Sequence, residues 1–265
     1  MTGVVKTLVN LAIGLVAFAG AVGLQMQRQT WLTNQQQNNL PLWQQQEALT
    51  QTQLRLWRDM PGFGFDNMIA NFWLIQFNIY FGDDEARQAL GYGLIPDFFV
   101  VILGQDPRFI RAYLLLSTTG SLYAGEPERS LQIAAQAMTH LTPAVPGSYF
   151  PWLYRGTDEM LFVGDGRRAL TSFQTAAAWA QTWHTPESEL VVKRAESLVA
   201  SLRENPDSRA AKVIGWLTIL GYATTPRVQR IAVQKILEAG GRIEQLPDGK
   251  RVIILPREVQ ERLRG

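Results

Sequence analysis

The phrase YFGD at 80–83 returns as YAGE at 123–126 and again as FVGD at 162–165. Its glycines, Gly82, Gly125 and Gly164, stand 43 and 39 residues apart. Each phrase closes an apolar run with helical spacing, and a second such run follows it. Self-similarity at a near-fixed period marks a repeat architecture. Here the unit is a pair of helices joined by a Gly-acid turn, so the expected fold is mainly α, a stack of helical hairpins.

Working outward, the units read as follows. In the first, 65–81 (FDNMIANFWLIQFNIYF) is an apolar helix with Asp66 as a cap. Its return helix starts at Glu85, is interrupted by Gly91 and Gly93, and restarts at Pro96. The second unit spans 108–123 and 127–141, and the third 149–163 and 167–183. Thr185-Pro186-Glu187 then reads as an N-cap, a first-turn proline and a first-turn acid, opening a helix to about 204. Further helices are expected over 208–223 and from Pro226 to the Gly240-Gly241 pair. The period then switches to two: 242–246 and 250–255, joined by Pro247-Asp248-Gly249, read as a β-hairpin ahead of a charged tail.

Upstream, 8–24 (LVNLAIGLVAFAGAVGL) is apolar except for Asn10. At about 17 residues it sits near the lower limit for a spanning helix. It reads as an N-terminal transmembrane anchor. A cleaved signal peptide is the alternative, because Ala17-Phe18-Ala19 and Ala19-Gly20-Ala21 both have the small-x-small form. A buried helix of a soluble domain is the third reading. A short N-terminal tail ahead of one apolar segment leaves the bulk of the chain on the translocated side, periplasmic or lumenal. Residues 25–53 are rich in Gln and Asn, a polar linker, or a helix from Pro41 on. Leu42, Leu49 and Leu56 recur every seven residues beside Trp43 and Trp57, which suggests one apolar stripe over 42–59. GFGF at 62–65 lacks the strand and spacing of a nucleotide loop and reads as a turn. The expected organisation is 1–25 anchor, 26–60 Gln-rich linker and helix, 61–184 hairpins, 185–240 further helices, and 241–265 β-hairpin and tail.

Composition bounds the function classes. The net charge of +2 does not indicate a nucleic-acid partner, although 226–265 carries nine basic against five acidic residues. The absence of cysteine excludes disulfides, thiolate metal sites and cysteine nucleophiles. His140 and His184 each stand without carboxylate company at metal-ligand spacing. Asp83, Asp84 and Glu85 read as helix-start acids rather than a catalytic group. No hydrolase, phosphate-loop or zincin motif is present. No catalytic residue, metal or cofactor is expected.

The third unit resembles a tetratricopeptide repeat. With Gly164 at the small position 15, Ala169, Phe173 and Ala176 fall at 20, 24 and 27, and Thr157 falls at the small position 8. Setting Gly125 at 15 places Ser130, Ala134 and Ala137 likewise. The first unit fits worst, since Gly91 takes the bulky position 24. The resemblance covers about 65–180 and implies a degenerate solenoid whose first helices line a partner-binding groove. The implied groove residues are Phe72, Gln76, Tyr80, Thr119, Tyr123, Tyr154, Asp158 and Phe162, unless those aromatics are core. The expected function is a membrane-anchored interaction scaffold or assembly factor holding a protein partner, a subunit of a membrane complex. A permanent structural subunit, or a helical enzyme or small-ligand binder using the aromatic-lined space between Phe72 and Trp152, are the alternatives.

We expect the protein to remain with the membrane pellet after carbonate washing. A soluble protein whose N-terminal sequence starts at Gly20 or Val22 would instead establish a cleaved signal peptide.

Overall fold

A computed structural model describes residues 22, 24, 25, 39–245 and 251–256. The chain divides into two compact units, Met1–Gln46 and Glu47–Gly265. The expected anchor at 8–24 lies outside the described residues except for Val22 and Leu24, which are helical and exposed. The Gln-rich tract at 35–38, the turn 246–250 and the tail 257–265 also lie outside them.

The described residues are mainly α. A helix over 39–58 (α1) takes Pro41 in its first turn. It is followed by α2 (Asp66–Gly82), α3 (Asp84–Leu90) and α4 (Ile95–Gln105). Next come α5 (Ile110–Leu115) and α6 (Pro127–Met138), then α7 (Tyr149–Asp158) and α8 (Gly166–Ala180). The chain closes with α9 (Pro186–Glu204), α10 (Arg209–Tyr222) and α11 (Pro226–Glu238). Strands β1 (Arg242–Gln245) and β2 (Arg251–Ile254) form one antiparallel pair, Arg242 opposite Ile254. Asp66 does not cap α2 but stands as its first-turn acid; Phe65 holds the cap position and makes no side-chain cap bond. Thr185 and Ser188 form a reciprocal capping box at α9, and the Thr225 side chain caps α11.

Helices pair within hairpins, α2 with α4 and α7 with α8, and hairpins pack on their neighbours through α4 with α6, α5 with α7 and α8 with α9, an arrangement compatible with a helical solenoid. Three cores result. Phe77, Phe98, Phe99, Ile102, Tyr113 and Leu116 centre the first. Leu153, Phe173, Ala176 and Ala195 centre the second. Trp216 joins Phe162, Val213, Ile219 and Ala232 in the third.

Two first helices widen before their turns. α5 runs into a π-helical segment, Leu116–Tyr123, and α7 into another, Glu159–Val163. A π turn closes i→i+5, so it holds one more residue than an α turn. That moves the register of the third unit. The small residue at the crossing is Gly156, not Thr157: a β-carbon on Gly156 would lie 2.7 Å from Cε1 of Phe173. Ala169, Phe173 and Ala176, which the resemblance places between helices, are fully buried.

The heptad of α1 is not the side of the helix that meets the core. Leu42, Leu49 and Leu56 are exposed, whereas Leu54 is buried and Trp57 meets Trp73 edge-on at 6.3 Å. Leu54 and Trp57 lie one helical turn apart; at 3.6 residues per turn Leu54 stands roughly opposite the Leu49–Leu56 row, with Trp57 between them.

Among the described residues no single helix is long and apolar enough to cross a membrane. Only the pair α3 and α4 qualifies by composition, and it bends by 116°. Its apolar residues Ile95, Phe98, Phe99 and Ile102 are core.

The three turn glycines are not equivalent. Gly125 (φ 67) and Gly164 (φ 78) sit in the left-handed region that favours glycine, and Gly164 is the αL cap of its helix. Gly82 remains helical, with nothing within 4 Å of an added β-carbon. Gly164→Ala should cost about 1–2 kcal/mol, whereas Gly82→Ala should be neutral or gain about 0.4–1 kcal/mol. Thermal melts of the two variants check this; equal effects would contradict the assignment.

Candidate interaction surface

The eight expected groove residues fall in three different environments. Phe72 is exposed, on the side of α2 away from the core. Gln76 and Tyr80 are half-buried on the same helix. The Arg87 guanidinium lies 3.7 Å over the Tyr80 ring, and the Tyr80 hydroxyl accepts from the Leu94 amide at 3.2 Å. Tyr123 is half-buried among Phe81 at 5.0 Å, Tyr92 at 5.3 Å and Tyr222 at 5.7 Å. Thr119 is buried and donates to the Leu115 carbonyl. Tyr154 stacks on Phe150 and shares a crevice with Asp158, and Phe162 is buried against Trp216.

The aromatics next to the turns are met by the chain's own C-terminal helices. Trp216 of α10 donates its Nε1 proton to the Phe162 carbonyl at 2.8 Å, inside the protein. Gly125 lies under Val228 of α11, and Gly91 under Thr225. Arg227 pairs with Glu126 at 3.1 Å and Lys235 with Glu128 at 3.4 Å, both on the second hairpin.

Beside the wide turns lies a buried polar centre that the sequence reading captured only at Asp158. Asp158 is 3% exposed and accepts from Ser117 at 2.8 Å and Ser121 at 3.2 Å, both on the π segment after α5. Its neighbour Glu159 has no exposure and takes Arg155 at 2.9 Å, Ser172 at 2.7 Å and Arg168 at 3.2 Å. One carboxylate therefore ties α7 to the second hairpin, and the other ties it to α8. Burial pushes the Asp158 carboxyl up to about 7; the Ser117 and Ser121 hydroxyls pull it down and Glu159 pushes it up. The crevice lined by Ser117, Tyr154, Arg155 and Asp158 holds about 10 Å³, on the order of one water molecule. This geometry clamps helices and leaves no room for a substrate. Among the described residues no group of three or more His, Cys, Asp or Glu is placed to hold a metal ion.

An open apolar surface is the outer face of α2. Phe65, Met68, Phe72, Ile75 and Ile79 are exposed and succeed one another by 3, 4, 3 and 4 residues, so they form one stripe along the helix. Apart from Phe72, the sequence reading missed this face. The signal was present, because α2 carries large apolar residues on two opposite faces, and a helix of that kind requires cover on both. Asn71, Asn78 and Gln76 flank the stripe, and no charged residue occurs from Asn67 to Gly82. Just ahead of it, Phe63 is 82% exposed with φ 49. A bulky side chain in the left-handed region costs roughly 1–2 kcal/mol, and the ring gains no burial in return.

Comparison with protein-family models, with curated proteins and with solved structures finds no match.

The buried centre predicts a pH dependence. The folded-state pKa of Asp158 lies above its ordinary 3.8, so its favourable contribution is complete below about 3.8 and is lost as pH rises through about 7. Asp158→Asn removes this dependence. The stability of wild type relative to Asp158→Asn should therefore fall between pH 4 and 7 and level off above 8. Parallel melting-temperature curves for the two proteins would contradict it.

Proposed function

We propose that this chain is a membrane-anchored scaffold or assembly factor that holds a protein partner belonging to a membrane complex. We further propose that its hairpins form a degenerate tetratricopeptide-like array. One observation carries the reading: the uncharged apolar stripe of α2, Phe65 to Ile79, left open to solvent. Exposed apolar faces of this kind are sites of interaction in soluble domains. The strained, exposed Phe63 at its head supports it, because local strain with no internal benefit concentrates where a partner supplies the benefit. The apolar run at 8–24 provides the anchor in this reading, with the folded unit on the translocated side. A permanent structural subunit of a membrane assembly is the second reading. The lack of any charge from Asn67 to Gly82 favours it, since such a face is costly to leave uncovered.

Ile75→Glu tests the proposal. The side chain is 58% exposed, so the fold should keep its stability to within about 1 kcal/mol. Affinity isolation from detergent-solubilised membranes should recover a defined membrane protein with wild type and lose it with Ile75→Glu. Recovery of the same proteins with both would remove α2 from the interaction.

A further inference from the structure

We propose that the α2 stripe receives an α-helix that is itself uncharged along its length, of the kind that membrane-embedded subunits carry. This rests on the scaffold reading and names the class of its partner.

The 3-4-3-4 succession of Phe65, Met68, Phe72, Ile75 and Ile79 is the a/d spacing of a helix-pairing seam. An extended peptide has a side-chain period of two and does not match it. The seam runs over 15 residues, Phe65 to Ile79, roughly 21 Å at 1.5 Å per step, the length of two heptads. Its margins give the chemistry of the occupant. Helices that pair in water set Lys and Glu along the seam to form cross-helix ion pairs. Here the margins are amides. Asn71 and Asn78 lie on one side and Gln76 on the other. Asn71 already donates to the Asn67 carbonyl at 2.7 Å. A charged helix laid on this face would desolvate its charges against groups that cannot pair them. An uncharged helix loses nothing there and can meet the amides with its own hydrogen-bonding side chains. The aromatic pair Phe63 and Phe65 at the head of the seam supplies large anchors of the sort that dominate interfaces.

The test uses the full-length chain in detergent micelles and three labelled two-heptad peptides. The first has Leu at a and d and Gln elsewhere. The second has Lys and Glu on its margins. The third has the composition of the first in scrambled order. We expect the Leu/Gln peptide to bind at least about tenfold more tightly than either of the others, and Ile75→Glu to abolish that difference. Equal or tighter binding of the charged-margin peptide, equal binding of the scrambled one, or no binding at all would overturn the inference. So would self-association of the full-length chain that Ile75→Glu abolishes. Phosphatidylcholine vesicles that bind wild type and exclude the Leu/Gln peptide would assign the face to lipid instead. If co-isolation from membranes depends on Ile75 while the peptides are not distinguished, the helical partner fails and the scaffold reading stands. If neither depends on Ile75, both fail.

Discussion

The hydrogen bond from Trp216 Nε1 to the Phe162 carbonyl joins the C-terminal helices to the hairpins, and the wide turn at the end of α7 makes it available. A π turn leaves backbone carbonyls off the α-helical ladder. Phe162 offers one of these to a tryptophan with no solvent exposure, and Gly215 packs against the carbonyl of Leu161. The bond itself is worth roughly 0.5–1.5 kcal/mol. Its loss costs more than that, since it would leave an indole N–H buried without a partner. With α10 seated here, Tyr222 reaches Tyr123 and Val228 reaches Gly125. The aromatics beside the second and third turns are then committed to internal packing. Uncommitted apolar surface remains on the outer face of α2. Terminal units of stacked arrays normally turn a polar face outward; α2 turns Met68, Phe72, Ile75 and Ile79.

The paired carboxylates Asp158 and Glu159 reinforce the same junction. They are adjacent in sequence yet serve opposite neighbours, Ser117 and Ser121 for one, Arg155, Arg168 and Ser172 for the other. Burying two acids side by side is unfavourable unless each is fully hydrogen-bonded. The four oxygens here have five donors between them. The centre thus gives the hairpins a fixed register where apolar packing alone would tolerate sliding.

Much of this was legible in the residues. The Gly-acid phrases marked the hairpins, Thr185-Pro186 and Thr225-Pro226 marked helix starts, and the change of period at Arg242 marked the β pair. These are local signals, set by backbone chemistry within a few residues. The rest depended on packing between distant segments. Nothing local announces that a helix will close i→i+5, so the one-residue displacement from Thr157 to Gly156 was hidden. The Leu42, Leu49, Leu56 heptad marked one apolar stripe, but Leu54 and Trp57 meet the core, because facing partners decide which of two apolar sides is used. Tyr80, Tyr123 and Phe162 hold the same place in the sequence phrase, but Tyr80 lies against Arg87 and Phe98 of its own unit, while Tyr123 and Phe162 meet α10, far along the chain.

The central claim is that the outer face of α2 is covered in the cell. The chain has no cysteine, so single cysteines at Phe72 and Ile75 can report on it directly, with the exposed Ser201 on α9 as a reference. Maleimide labelling rates would be compared between intact membranes and the purified, detergent-solubilised protein. The account predicts slow labelling at 72 and 75 in membranes, release to the reference rate after purification, and no change at 201. Labelling at 72 and 75 as fast in membranes as in the purified protein would contradict it.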